Sequence, residues 1–212
     1  MLYNFLVHIV NPFLNLINGR SEIKHRDRLP KGNYILVAPH RTWMDPVLLA
    51  LAVYPKQFSF MAKEELFQNK LVAWFLKTLH AYPVNRKHPG PSAISKPVRL
   101  LKKSPYSTII FPSGSRYSAQ LKGGALLIAK MAGVPIVPAV YQGPLKFNQM
   151  WSRKKRRIAF GQPFLVDRRQ RLDEDTQHMY EQKMQSAFDQ LDKELDPSFK
   201  YVMPAKPKND NF

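Results

Sequence analysis

His40 and Asp45 stand five residues apart in "VAPHRTWMDP" (37–46), just after the apolar run "NYILVA" (33–38). An imidazole beside a carboxylate can do general acid–base work. The carboxylate accepts from one ring nitrogen, fixes the tautomer and leaves the other nitrogen free to take a proton. Such a pair activates a weak hydroxyl nucleophile near neutral pH. On one continuous helix, residues five apart point about 140° away from each other, so these two meet only where a loop folds back. Asp45 followed by Pro46 supplies a loop-to-helix transition, because aspartate suits an N-cap and proline the first helical position. The same residues also have a reading without chemistry, with Asp45 a helix cap and His40 a loop residue.

A second set of residues suits phosphate. "IIFPSGSRYSAQLKGGA" (109–125) runs strand, glycine-bearing loop, arginine, lysine, glycine pair and helix. Backbone amides near Gly114 and Gly123–Gly124, with Ser113, Ser115, Arg116 and Lys122, make a candidate anion cradle. Arg86 closes "YPVNR" and offers a second guanidinium, a group that grips phosphate bidentately where lysine does not. Taken singly, each of these cations reads as a solvated surface charge. "PSGS" is not a nucleophile elbow, because it lacks the glycine two before the serine.

These residues need a scaffold. The sequence predicts a buried strand at 33–38, a clear strand at 106–111, and further strands at 57–62 and 156–161. "VPIVPAVY" (134–141) is β-branched but holds two prolines, which predicts an irregular or edge-like strand. Helices are predicted at 46–54, 63–79, 97–103, 123–132 (closed by Gly133) and 173–195, the last with an acidic start that suits the helix dipole. Strands alternating with helices predict an α/β fold, a central mixed sheet flanked by helices. His40 then falls at the C-terminal edge of its strand, where α/β sheets bind ligands.

The N-terminal stretch "MLYNFLVHIVNPFLNLING" is apolar yet broken by Asn4, His8, Asn11, Asn15 and Asn18, at spacings of four, three, four and three. On a helix these polar residues form one stripe, and Leu2, Phe5, Leu6, Ile9, Phe13, Leu16 and Ile17 cover much of the rest. Pro12 and the asparagines argue against a membrane span, and the lack of a basic start and a cleavage site argues against a secretory signal. The expectation is an amphipathic helix lying in a bilayer interface, with packing on the protein's own core as the alternative. The organisation expected is a membrane-associating segment over 1–29, an α/β domain over 30–203 and a disordered tail over 204–212.

There are 33 Lys+Arg against 15 Asp+Glu, a formal charge of +18, and no cysteine. The charge calls for an anionic partner. The missing cysteine removes thiolate metal sites and a cysteine nucleophile, and suits a reducing compartment. "SRKKRR" (152–157) and "DRRQR" (167–171) are basic clusters suited to lipid headgroups or an acidic carrier protein. Nucleic acid is disfavoured, since no recognised binding motif accompanies the charge.

The chain resembles the glycerolipid acyltransferase family, typified by 1-acylglycerol-3-phosphate acyltransferases. The family's NHxxxxD motif is matched by "PHRTWMD", with His40 and Asp45 in place. Its second motif is similar to "AYPVNR", placing Arg86, and its FPEGTRS motif to "FPSGSRYS", keeping Phe111, Pro112, Gly114 and Arg116. "KGGA" matches a lysine-glycine helix start, "GVPIVPAVY" a fourth motif centred on Pro138, and "MAKEELF" a segment before the second motif. Four motifs in order make a specific signal over roughly residues 30 to 165. The chain departs from the family at Pro39 for asparagine, Ser113 for glutamate and Ser115 for threonine.

The resemblance implies a membrane-surface O-acyltransferase of phospholipid synthesis. His40, oriented by Asp45, would act as general base on an acceptor hydroxyl, which attacks the thioester carbonyl of acyl-CoA or an acyl-carrier protein. Arg86, Arg116 and Lys122 would hold the phosphate of a lysophospholipid, 1-acyl-sn-glycerol 3-phosphate. No metal or cofactor is implied beyond the acyl thioester co-substrate. The protein is expected at the cytoplasmic face of a membrane, peripheral or monotopic. The alternatives are a non-catalytic lipid-binding module whose site degenerated with Ser113, and a hydrolase using Ser113 or Ser115 with His40.

Overall fold

Short β-branched runs separated by amphipathic stretches build a seven-stranded sheet with helices on both faces. The computed structural model describes residues 2–85, 89–146, 149, 151 and 154–206. In chain order its elements are α1 (Leu2–Asn18), β1 (Glu22–Lys24), β2 (Ile35–Val37), α2 (Asp45–Val53), β3 (Phe58–Lys63), α3 (Lys70–Thr78) and β4 (Ala81–Val84). They continue with α4 (Ser92–Lys103), β5 (Ser107–Ile110), α5 (Gly124–Ala132), β6 (Ile136–Gln142), β7 (Arg157–Phe160) and α6 (Glu174–Leu195). The strand order is β1-β7-β6-β2-β5-β3-β4. Strands β2 to β6 run parallel to one another, and β7 pairs antiparallel with β6, so the sheet is mixed.

The two-residue period of a strand sends alternate side chains to opposite faces. In β2, Ile35 and Val37 join a core formed with α4, α5 and α6, while Leu36 joins a second core with Leu48 and Leu49 of α2 and Leu14 of α1. Because β2 to β6 are parallel, their C-terminal ends all open on one edge, the edge that follows Val37, Lys63, Val84, Ile110 and Gln142.

Four sequence expectations need correction. The strand over 134–141 is interior, fully buried between β2 and β7, and not edge-like. Pro138 is accommodated because its carbonyl faces β7 and accepts from Gly161 N–H at 2.7 Å. Its absent N–H faces the same side, where the partner segment carries one extra residue, the register passing from Ala139–Phe160 to Ile136–Phe164. The helix over 63–79 is two pieces. A 3-10 turn (Glu64–Phe67) precedes α3, whose N-cap Asn69 accepts from the amides of Leu71 and Val72. Helix α4 starts at Ser92, ahead of Pro97, because Ala93, Pro97, Val98 and Leu101 bury one face together. Finally, β1 pairs with β7, so the sheet begins inside the segment 1–29.

Helix α1 divides its apolar residues between two faces. Tyr3 and Leu14 are buried against the body, whereas Phe5, Ile9, Phe13 and Leu16 are more than half exposed. Among the described residues no helix is long and apolar enough to cross a membrane. Most of the tail expected over 204–212 lies outside the described residues, which end at Lys206.

Candidate active site

Strand β2 ends at Val37 and delivers His40 to the open edge of the sheet, where the chain turns before α2. The turn brings the pair together: His40 Nδ1 lies 3.0 Å from Asp45 Oδ2. The same oxygen accepts the backbone N–H groups of Arg41 at 2.6 Å and Thr42 at 2.9 Å. Asp45 is therefore not the N-cap. It is the first residue of α2, and Met44 precedes the helix without a capping bond. Its carboxylate reaches back over the loop, where three donors converge, and not forward along α2, where Pro46 has no N–H to give. Asp45 is only 1% exposed, and its second oxygen, Oδ1, is buried without a hydrogen-bond partner among the described residues.

The imidazole is held on its face as well as its edge. The Phe111 ring stacks on it with centroids 4.3 Å apart and planes at 20°. Phe111 follows directly on β5, so the two central parallel strands place the ring and its platform. With Nδ1 committed to the carboxylate, Nε2 is the atom left for an incoming proton. Edge and face contacts together fix the ring orientation before anything binds.

The loop after Phe111 folds on its own bonds. Gly114 has φ +68, a left-handed conformation that favours glycine, and its N–H donates to Phe111 O at 2.8 Å. Ser113 Oγ donates to Ser115 O at 2.8 Å, and Ser115 Oγ accepts from Tyr117 N–H at 3.0 Å. Lys122 N–H donates to Pro112 O at 3.0 Å, which returns the chain to the base of the loop. A Cβ placed on Gly114 would stand 3.8 Å from Lys122 Nζ, so the ammonium borders this glycine. Ser113 is buried, whereas Gly114 and Lys122 are exposed. The Arg116 guanidinium lies 5.6 Å from the Tyr117 ring centre. Arg86 lies outside the described residues, although Asn85 just before it sits at the same edge and bonds Glu64 at 2.6 Å.

Three neighbours of the site gave no sign in the sequence. Arg41, adjacent to His40, reads as a surface charge but is almost fully buried. Its guanidinium grips Asp192 of α6 through both terminal nitrogens and donates to Tyr141 O at 3.0 Å. Gln142, at the end of β6, donates to Asp192 at 2.9 Å and completes this brace. Tyr201 lies beside Arg41, 5.5 Å from ring centre to guanidinium, and its hydroxyl is buried without a partner. Burial pushes the Tyr201 phenol above its ordinary range, Asp45 adds to the rise, and the guanidiniums of Arg41 and Arg116 oppose it. That phenol therefore feels both the His40–Asp45 loop and the Arg116 loop. Lys63, at the end of β3, brings another cation to the edge and pairs with Glu65 at 3.3 Å. Among the described residues no cluster of three or more His, Asp or Glu side chains is arranged to hold a metal ion.

Residues 20–142 match the acyltransferase family. The chain is 44% identical over 196 residues to a 1-acyl-sn-glycerol-3-phosphate acyltransferase of Streptococcus pneumoniae, covering 92% of this chain and 74% of that protein. It is 39% identical over 165 residues to a 1-acyl-sn-glycerol-3-phosphate acyltransferase of Bacillus subtilis, covering 76% of this chain and 82% of the relative. The crystal structure of a 1-acyl-sn-glycerophosphate acyltransferase from Thermotoga maritima superposes with a TM-score of 0.68 at 20% identity, covering 94% of this chain and 81% of that one, a likeness of fold.

Proposed function

Because this chain belongs to the acyltransferase family, we propose that it moves a fatty acyl group from an acyl thioester to the free hydroxyl of 1-acyl-sn-glycerol 3-phosphate. The observation that carries this reading is the His40 Nδ1–Asp45 Oδ2 bond at the C-terminal edge of the parallel strands. In the reaction, His40 Nε2 takes the proton of the acceptor hydroxyl as its oxygen attacks the thioester carbonyl. Collapse of the tetrahedral intermediate forms the ester and breaks the C–S bond. The imidazolium returns its proton to the departing thiolate, and His40 is ready again. Asp45 holds the tautomer and stabilises the imidazolium while it exists. Arg116 and Lys122, with amides of the Gly114 loop, hold the acceptor's phosphate, and Arg86 adds to that set. The thioester, acyl-CoA or an acyl-carrier protein, is the co-substrate, and the proton shuttle asks for no further cofactor.

The acceptor is supported by the names of the relatives, and a phosphorylated acceptor suits the cations around the Gly114 loop. The substitution of Ser113 for glutamate leaves that loop ordered, since Ser113, Gly114 and Lys122 tie it internally. This weighs against a degenerate, non-catalytic module. The place of action is an anionic membrane surface met from one side, with the exposed stripe of α1 entering the interface. Trp151 extends that stripe, with its ring 6.3 Å from Phe13.

The test is transfer of a labelled acyl thioester to 1-acyl-sn-glycerol 3-phosphate by the purified chain and by His40→Ala. The expectation is turnover in the wild type and its loss in the variant with the fold intact. Wild-type rates in His40→Ala would remove the imidazole from the mechanism.

A further inference from the structure

Beneath α1 lies a cleft of about 210 Å³ lined by Arg20, Arg26 and Arg156 together with Asn11, Asn15 and Ser21. Its floor is apolar, from Leu48, Leu51 and Ala52 of α2 and Ile158 of β7. Among the described residues no carboxylate lines it. Arg156 is the unexpected member. Within the basic run 152–157 it reads as a surface cation, yet it is 2% exposed. One terminal nitrogen donates to Asn15 Oδ1 at 2.7 Å and to Gly19 O at 3.0 Å, which fastens the end of α1. Its Nε is buried with no hydrogen-bond partner among the described residues. No acid pairs with it among the described residues, and burial alone pulls its pKa below the ordinary guanidinium range. Its neighbour Arg157, by contrast, has two acids, Glu22 at 3.4 Å and Asp196 at 2.9 Å. A buried charge without a counter-ion is costly, and an anion drawn into the cleft would relieve that cost.

The position says which anion. The exposed stripe Phe5, Ile9, Phe13 and Leu16 runs along α1, and Arg20 stands two residues past the end of the helix. A helix lying in a bilayer interface brings the residues at its end to headgroup depth. The apolar floor of the cleft suits the glycerol and first methylenes of a lipid, and the three guanidiniums suit its phosphate. We propose that this cleft binds the phosphate of an anionic membrane phospholipid, at a site separate from the one that takes the acceptor. The bound lipid pins α1 against α2, the helix that Asp45 begins, so the membrane itself braces the loop that carries His40. The membrane-surface reading above is used only for the source of the lipid, and a monomeric lipid probes the cleft whether or not vesicles bind.

The test is calorimetric titration of the full chain with dihexanoyl phosphatidylglycerol below its micelle-forming concentration. Wild type, Arg116→Ala and the double variant Arg20→Gln/Arg26→Gln are compared. Both arginines of the double variant are exposed, so α1 keeps its Arg156 anchor. Binding by wild type and Arg116→Ala within twofold of each other, and about 25-fold weaker binding by the double variant, is the expected result. Equal binding by wild type and the double variant, or no binding by wild type, overturns the proposal. So does loss of binding in Arg116→Ala, which would place the lipid in the acceptor's cradle. Dihexanoyl phosphatidylcholine binding as tightly would show an apolar site without phosphate recognition, and full displacement by equimolar inorganic phosphate would show a free-anion site. Either outcome overturns the lipid assignment.

Discussion

Replacing Asp45 by asparagine changes one atom and tests the whole arrangement. In the native site one oxygen of Asp45 accepts three N–H groups, from His40, Arg41 and Thr42, while the other is buried without a partner. An asparagine that keeps its carbonyl oxygen in the shared position pushes its NH2 into the unpartnered one. An unsatisfied buried donor costs about 1–3 kcal/mol, and turning two charge-assisted backbone bonds into neutral ones costs about 1 kcal/mol each. The sum, about 3–5 kcal/mol, lowers Tm by about 6–20 °C for a chain of this length. The alternative amide orientation donates to Nδ1 and turns the imidazole to the tautomer whose Nε2 carries the proton. A base of that form cannot take one, and the corresponding change in a serine-protease triad costs about 10⁴ in kcat. Asp45→Asn should therefore lower kcat by about 10³–10⁴, or about 4–5.5 kcal/mol of barrier, with acceptor KM within about threefold. The assay is acyl transfer measured well below the variant's Tm, with circular dichroism to confirm folding. His40→Ala/Asp45→Asn should be no slower than His40→Ala, because the two residues act as one unit. A folded Asp45→Asn within tenfold of wild type, or a double variant slower by a further factor of 10³, refutes the pairing.

Three further outcomes follow from named contacts. Arg116→Ala should raise the KM of a phosphorylated acceptor about 10- to 100-fold, the worth of one charged hydrogen bond, with a smaller change in kcat; steady-state kinetics against 1-acyl-sn-glycerol 3-phosphate reads it. Arg41→Ala leaves the Asp192 carboxylate unpaired and should cost about 3–5 kcal/mol in a denaturant titration, whereas Arg41→Met/Asp192→Leu should recover most of that loss. Phe5→Asp/Phe13→Asp exposes charge on the free face of α1, so binding to anionic vesicles in a flotation assay should fall at least about 100-fold while soluble-substrate turnover survives.

The legible parts of this protein are those where a local pattern carries its own physical cause. Apolar β-branched runs made β2, β5 and β7 readable, and glycine at the end of an apolar helix made the close of α5 readable, with Gly133 at φ +72. His40 with Asp45 was readable as a pair from spacing and from Pro46, but the direction of the carboxylate was not, because a cap and a backward reach share the same sequence. The proline-bearing β6 was misread because the accommodation of Pro138 lies in one extra residue of a distant segment, near Gly161. The strand β1 has three residues and no pattern of its own, and exists through its pairing with β7.

The charges show the same limit most clearly. Arg41 and Arg156 look in sequence like any of the 33 basic residues, yet the fold buries Arg156 and all but covers the side chain of Arg41. Each ties a remote segment to the loop or helix that carries the candidate pair: Arg41 binds α6 to the turn after His40, and Arg156 binds the end of α1 beside α2. A loop over 38–44 whose neighbour Asp45 buries one carboxylate oxygen without a partner among the described residues stores electrostatic cost, and a free loop would relax by swinging Asp45 toward water. The loop cannot swing while Arg41 is locked to Asp192, about 150 residues further along the chain. The geometry of the candidate pair is thus a property of the assembled domain and not of the motif. On that argument, loosening the far end of α6 should lower kcat before it alters substrate affinity, because the cations proposed for the acceptor's phosphate sit on the separately tied Gly114 loop.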